Sequence, residues 1–187
     1  MNKIIECIKS RRSTRNFLDR QITDNELNTI IECGTWAPSG HNKQPWFFTV
    51  LQNSEMIAEL NLLTKEALRN YSKEEGIRKL GANESYNVFY NAPTVIIVSY
   101  EKNNITEESD CSAAIQNILL ACESIGLATC WNGFVRSHFN SEEGIATKQK
   151  YEIPENYTPY YAIAVGYADG SPRLGGERRD NIVKVIK

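Results

Sequence analysis

The segment from Asp110 to Ile125 constrains this chain more than any other. Ala113, Ala114, Ile115, Ile118, Leu119, Leu120, Ala121, Cys122 and Ile125 cover nearly the whole circumference of the helix that their spacing predicts. A helix that is apolar all round lies at the centre of a fold or in an interface. Small residues at Ala113, Ala114 and Ala121 favour close packing against whatever covers it. Gly126 ends the helix. Everything else in the chain has to be arranged around this element.

The remaining segments alternate between helix and strand signals. Ile4, Ile5, Cys7 and Ile8 predict a first helix over Asn2 to Arg11. Thr23-Asp24-Asn25-Glu26 is a capping box, and the helix it starts carries Leu27, Ile30, Ile31 and Cys33 before ending near Gly34. Trp36 to Trp46, with Pro38, Gly40 and Pro45, reads as a long loop. Phe47 to Leu51 then reads as a strand. Ser54 to Asn70 is an amphipathic helix, and the polar stretch from Ser72 to Asn91 is helical in part. Thr94 to Tyr100 is an unbroken apolar strand, which implies burial on both faces. Leu127 to Trp131 and Tyr160 to Val165 read as further strands, with a helix between Asn140 and Lys150. Asn181 to Ile186 alternates like a strand, and a short helix fits it as well. No repeat or low-complexity linker divides the chain, so an α+β fold in one domain, residues 1–187, is expected.

Composition narrows the function. No apolar run approaches the ~20 residues of a membrane helix. Met1 to Arg12 lacks the apolar stretch of a signal peptide. Five cysteines, an odd number, argue against a disulfide framework, and a cytoplasmic location without membrane association is expected. Lys plus Arg number 21 against 23 Asp plus Glu, a net charge of −2 that opposes nucleic-acid binding. That balance hides two basic clusters. Lys9, Arg11, Arg12, Arg15 and Arg20 lie near the start; Arg173, Arg178, Arg179, Lys184 and Lys187 lie in the tail. Two concentrated cationic segments in an acidic protein invite an anion between them, with solvated basic patches as the plain alternative.

The side-chain apparatus of most catalysis is missing. The chain has no G-x-G-x-x-G, no phosphate-binding G-x-x-x-x-G-K-[ST], no C-x-x-C, no H-E-x-x-H and no G-x-S-x-G. His41 and His138 stand alone, so no metal site is expected. Cys7, Cys33, Cys111, Cys122 and Cys130 read as small core residues. An enzyme built this way relies on a bound cofactor, and no side chain is assigned a catalytic role.

Four segments, in order, resemble the FMN-dependent nitroreductase family: Arg11-Arg12-Ser13-Thr14-Arg15; Ala37-Pro38-Ser39-Gly40-His41-Asn42-Lys43-Gln44-Pro45-Trp46; Asn91-Ala92-Pro93; and Ala114-Ile115-Gln116-Asn117 through Gly126-Leu127-Ala128-Thr129-Cys130-Trp131. The sharpest is P-S-x-x-N-x-Q-P-W, and the likeness runs nearly end to end. It implies a nitroreductase-like fold, with a central mixed, largely antiparallel sheet surrounded by helices, in an intertwined homodimer with FMN at its interface.

The resemblance also implies a set of cofactor-binding residues. Arg11 would hold the FMN phosphate with a guanidinium fork, Ser13 would add a hydroxyl, and Arg15 would lie by the pyrimidine side of the flavin. Arg12 belongs to the same segment, with its backbone as the alternative contributor. Pro38, Ser39 and Asn42 would reach the flavin from the partner subunit, Gln44 would pin that loop, and Trp46 would anchor it. At Trp131, Asn132 and Gly133, backbone N–H groups would face the flavin N5 and O4. The family's usual aliphatic or acidic residue is replaced by Asn132. Arg178 and Arg179 would meet the phosphate from the tail, with Arg173 as the alternative. Asn83, Ser85 and Asn87 compete for one further place near the ring. The implied activity is an FMN-dependent NAD(P)H oxidoreductase. It would use NADH or NADPH by a ping-pong mechanism, with nitroaromatics, quinones or similar flat aromatic molecules as acceptors. Dehalogenation, flavin cleavage, or flavin storage and sensing on the same fold are the alternatives.

Overall fold

The computed structural model describes residues 2–171 and 175–187. Among them are helices α1 (Lys3–Ser10), α2 (Asp24–Thr35), α3 (Ser54–Tyr71), α4 (Glu75–Ala82), α5 (Glu107–Ser124), α6 (Val135–Phe139) and α7 (Glu143–Lys150). Four strands accompany them: β1 (Trp46–Leu51), β2 (Thr94–Glu101), β3 (Ala128–Asn132) and β4 (Tyr157–Gly166). The strands form one sheet in the order β1-β2-β4-β3, and every pairing is antiparallel. Among the described residues a parallel component enters only as the isolated bridge from Ser13 to Thr129.

The continuous apolar run of β2 is explained by cover on both faces. Ile96 and Val98 turn toward α5, where they meet Ile115, Ile118 and Leu119 in one core. Val95 and Ile97 turn the other way, toward Leu60 and Leu68 of α3 and the buried pair Val88 and Phe89. Alternation by residue therefore serves two cores rather than a core and solvent. Helix α5 packs on α2 as well as on the sheet; Asp110, Cys111, Ala114, Ile115, Ile118, Leu119, Ala121 and Cys122 are its buried residues.

Local chemistry sets the helix ends as the spacing predicts. Thr23 Oγ1 accepts the Glu26 N–H at 3.2 Å, and Glu26 Oε2 accepts the Thr23 N–H at 2.8 Å. Asn2 and Asn53 cap α1 and α3 in the same way, by accepting from Ile4 N and Met56 N.

Three features depart from the sequence reading. Helix α6 starts two residues after Gly133, with Phe134 between, and no sequence pattern announces it. Its five residues are too few to show a period. Helix α5 starts at Glu107, with Glu107, Glu108 and Asp110 all in its acidic first turn. The tail forms neither strand nor helix over 181–186. Ile182, Val183, Val185 and Ile186 are 74%, 77%, 67% and 89% exposed. An alternating strand needs a neighbour to pair with, and none meets it among the described residues.

Candidate functional site

Helix α1 ends at Ser10, and the chain then runs along the free edge of β3. Ser13 bridges Thr129, and the Thr14 N–H donates to the Thr129 carbonyl at 2.8 Å. Phe17 then bridges Ala168, and the Leu18 N–H donates to Tyr167 O at 2.9 Å. These bonds fix Arg11, Ser13 and Arg15 in a row beside β3. A cleft of about 100 Å³ opens here, lined by Ser13, Arg15, Asn16, Asp169 and Gly170. Asn16 holds its far wall by donating to Asp169 Oδ2 at 3.0 Å.

The arginines of this row do different things. Arg11 Nη1 is buried and has no hydrogen-bond partner among the described residues. A buried guanidinium nitrogen left unpaired is costly, so the position suits an acceptor that the described residues do not supply. Arg12 points elsewhere. Its Nη1 donates to the carbonyls of Lys9, Ser10 and Arg11 at 2.7, 3.0 and 2.9 Å, closing the C-terminal end of α1. Gly175 lies against that guanidinium so closely that a Cβ there would collide with it. The tail therefore passes beside the cationic segment. Arg178 and Arg179 follow three and four residues later and are exposed, while Arg173 lies outside the described residues.

Arg15 lies over the ring of Tyr90, its guanidinium carbon 5.7 Å from the ring centroid. A hydrogen bond to the Tyr90 phenol pushes the Arg15 pKa up, the largest influence on it. Burial pushes the Cys130 thiol up as well, against the pull of Arg15 and of hydrogen bonds to Tyr90 and Ser13. Cys130 is thus an inert wall of this cluster. Tyr90 and Asn91 both have left-handed backbones, at φ 58°. Asn83, Ser85 and Asn87 bond to neighbouring residues. Asn83 Oδ1 accepts from Ser85, and Asn87 bonds to Phe89 N and Asn91 Oδ1. The group that faces Arg15 is Tyr90, a few residues further on, and no sequence pattern picks it out.

At the far end of β3 the chain turns at Gly133. Trp131 packs edge-on against Tyr161, with centroids 5.4 Å apart. Asn132 is 3% exposed, and its amide is occupied: Nδ2 donates to Val88 O, and Oδ1 accepts the Phe134 N–H at 2.8 Å. Its side chain ties the turn to the segment before β2 and faces no open space. A Cβ on Gly133 would come within 3.2 Å of the Tyr161 ring, so glycine allows this close turn.

The loop from Pro38 to Asn42 sits at the other end of α5. The Gly40 N–H donates to both oxygens of Asp110, at 3.3 and 3.2 Å. Thr106 Oγ1 donates to Asp110 Oδ2 at 2.9 Å. Ser39 Oγ accepts the Gln44 N–H at 3.0 Å, and Asn42 Oδ1 accepts from Gln44 Nε2 at 3.1 Å, so Gln44 pins the loop from within. Trp46 is buried beneath it. The sequence marks Asp110 only as the start of a helix and has no pattern that pairs it with Gly40.

The ends of α5 separate these two groups. Asp110 holds the loop at the start, while Ser10 Oγ donates to Glu123 at 2.7 Å near the end. At 1.5 Å per residue the separation is about 20 Å. Between them runs an apolar groove of about 410 Å³, lined by Ile4, Cys7, Cys33, Trp36, Leu120 and Ala121. Cys7 and Cys33 are only half-buried and line this groove, whereas Cys111, Cys122 and Cys130 are core residues as expected. Ile4, Ile5, Ile8 and Trp36 stand exposed around it.

No group of three or more His, Cys, Asp or Glu among the described residues is placed to hold a metal ion. No helix among them is long and apolar enough to cross a membrane.

A cationic row on a sheet edge of an α+β fold, with one buried guanidinium nitrogen unpaired among the described residues, has the chemistry that suits an anionic ligand. Residues 8–167 match the nitroreductase family model, and the chain belongs to that family. It is 32% identical over 173 residues to a protein of Methanothermobacter thermautotrophicus provisionally named NADH dehydrogenase/NAD(P)H nitroreductase, covering 90% of this chain and 79% of that one. It is 29% identical to a 4-nitrobenzoate reductase of a Nocardioides strain, over 87% of this chain and 79% of that one. A crystal structure of a Bacteroides fragilis nitroreductase with bound FMN superposes over the full length of both chains, with a TM-score of 0.93 and 34% identity.

Proposed function

We propose that this protein is an FMN-dependent NAD(P)H oxidoreductase that works as a homodimer. The buried, unpaired Nη1 of Arg11 carries the reading. It is a donor fixed in place with no acceptor among the described residues, beside the Ser13 hydroxyl and the charge of Arg15, and a phosphate ester meets that need. Bound there, FMN would supply reversible acceptance of a hydride at one ring atom, chemistry that no side chain here provides. Arg11 and Ser13 would bind its phosphate, with Arg178 or Arg179 joining from the tail. Arg15 would keep a fixed positive charge on the pyrimidine side of the ring, favouring the reduced, anionic state. Backbone N–H groups at Trp131, Asn132 and Gly133 would orient the ring. Arg12 would act through its backbone, since its side chain is occupied at the end of α1.

The separation along α5 supports the dimer. Pro38, Ser39 and Asn42 lie about 20 Å from the arginine row of their own chain, so they do not complete its site. A second copy packed across the apolar groove by a twofold axis would bring each loop to the other chain's row. The exposed Ile4, Ile5, Ile8 and Trp36, and the exposed apolar tail, are the surface such an assembly would cover. NADH or NADPH and a flat, electron-poor acceptor, a nitroaromatic or a quinone, would occupy the same place in turn, a ping-pong order. The five free thiols suit a reducing cytoplasm.

An absorption spectrum of the purified protein, followed by NAD(P)H and then a quinone, tests the reading. A flavin band that bleaches with NAD(P)H and returns with the quinone is expected. Protein that stays colourless after FMN is added overturns it.

A further inference from the structure

We propose that Asp110 is a positioning residue for the flavin site of the second copy: its buried carboxylate sets the reach of the Pro38–Asn42 loop, so its loss is felt in the other chain's site and not in its own. The inference rests on the FMN-binding dimer proposed above.

Asp110 is 7% exposed, and among the described residues no cation is paired with it. A buried carboxylate persists only where donors surround it. Here the donors are the Gly40 N–H, at 3.3 and 3.2 Å, and the Thr106 hydroxyl, at 2.9 Å. The start of α5 adds the favourable end of its dipole. Without the docked loop the carboxylate would keep only the Thr106 hydroxyl as a side-chain or loop donor among the described residues.

The loop needs such an anchor. His41, Asn42 and Gln44 have φ values of 51°, 54° and 49°, a left-handed conformation that non-glycine residues rarely hold. Strained backbone of this kind persists where its surroundings over-determine it, and it gathers at ligand-binding segments. The bonds among Ser39, Asn42 and Gln44 shape the loop internally. Between Pro38 and Gln44, the bonds from Gly40 to Asp110 are the only ones that leave the loop among the described residues. Gly40 is fitted to this contact, because a Cβ there would collide with the Thr106 hydroxyl.

Subunit complementation separates this role from simple stability. Homodimers of Asp110→Asn and of Arg11→Ala are titrated with FMN by fluorescence quenching, and the melting temperature of each apoprotein is recorded. The two chains, carrying different tags, are then co-expressed and the mixed dimer is isolated. One of its sites joins both defects; the other joins an intact arginine row to an intact, anchored loop. Each homodimer is expected to bind FMN at least ten-fold more weakly than the unaltered protein. The mixed dimer is expected to bind one FMN per dimer with unaltered affinity. A mixed dimer with no tight site overturns positioning across the dimer. An Asp110→Asn homodimer with unaltered FMN affinity overturns the role of Asp110 alone. An Arg11→Ala homodimer with unaltered affinity overturns the underlying reading of the site. Gly40→Ala, which disturbs the same contact from the loop side, gives the same complementation if Asp110→Asn fails to fold.

Discussion

The guanidinium of Arg15 rests over the ring of Tyr90, with 5.7 Å between its central carbon and the ring centroid. The two residues lie far apart in sequence, on the basic segment beside β3 and on the turn before β2. The turn holds Tyr90 in place through left-handed backbones at Tyr90 and Asn91, both at φ 58°. A long, mobile cation thereby becomes a fixed one. A cation over a ring at a partly exposed site contributes roughly 0.5–1 kcal/mol. Tyr90→Ala is therefore expected to weaken FMN binding about two- to five-fold and to lower the flavin midpoint potential, with Tyr90→Phe in between. Dye-equilibrated redox titration measures this; an unchanged potential in Tyr90→Ala would show that Arg15 needs no such support.

Arg11 contributes a donor that waits for an acceptor. Charge-assisted hydrogen bonds are worth about 1.5–3 kcal/mol, roughly ten-fold or more in affinity. Arg11→Ala is expected to weaken FMN by at least that factor, and Arg11→Lys less, because a point charge lacks the fork. Riboflavin, which has no phosphate, should bind both variants as it binds the unaltered protein. An equal loss for FMN and riboflavin would falsify the assignment of Arg11 to the phosphate.

Leu120 lines the apolar groove along α5. Leu120→Arg places a charge there without entering the cores on either side of the sheet. The expected product is a folded monomer by light scattering that has lost tight FMN binding. A dimer with full flavin occupancy would move the interface elsewhere.

Thr23 and Glu26 form a reciprocal cap, and Glu26 also accepts the Tyr167 hydroxyl at 2.9 and 2.8 Å. The cap thus joins the start of α2 to the residue just after β4. Thr23→Ala is expected to cost about 1 kcal/mol, read as a lower denaturation midpoint with no change in slope.

His138 is 2% exposed, with its Nε2 2.8 Å from Thr147 Oγ1. Burial pushes its pKa below the usual value near 6.5, outweighing the nearby carboxylates Glu143, Glu59 and Glu66. The unfolded chain therefore takes up a proton before the folded one does. Stability from the neutral ring is present above about pH 6.5 and falls as the pH drops from there toward the lowered value. Glu26 is held below the usual carboxylate range by its bonds to Thr23, so its stabilisation is lost only at lower pH. Thermal melts between pH 7.5 and 5.5 should decline in the unaltered protein and flatten in His138→Gln.

Elements with a strong local signal were legible in the sequence. The capping box at Thr23, the apolar surface of α5 and the unbroken run of β2 each follow from spacing alone, and the structure has all three. Helix α6 was not legible, because five residues between a glycine turn and a polar stretch show no period. The tail misled for the opposite reason. Its alternation is a real strand pattern, but a pattern cannot supply the neighbouring strand.

The candidate site divides along the same line. Arg11, Ser13 and Arg15 form one short string, so the sequence names them together, and their bridge to Thr129 keeps them together. That Arg12 turns back on its own helix while Arg11 stays unpaired depends on the backbone direction after Ser10, which composition does not encode. Asn132 stands where the family usually has an aliphatic or acidic residue, and its amide is used up holding Val88 and Phe134.

By itself, then, the sequence determined the longer helices and the sheet strands and which residue types gather in order, because periodicity, caps and charge act over a few residues. Tertiary structure alone decided that Tyr90 steadies Arg15, that Asp110 anchors Gly40, and that loop and arginines stand at opposite ends of α5. Those relations join residues tens of positions apart, and they exist only where the packing of β2 and α5 brings distant backbone together.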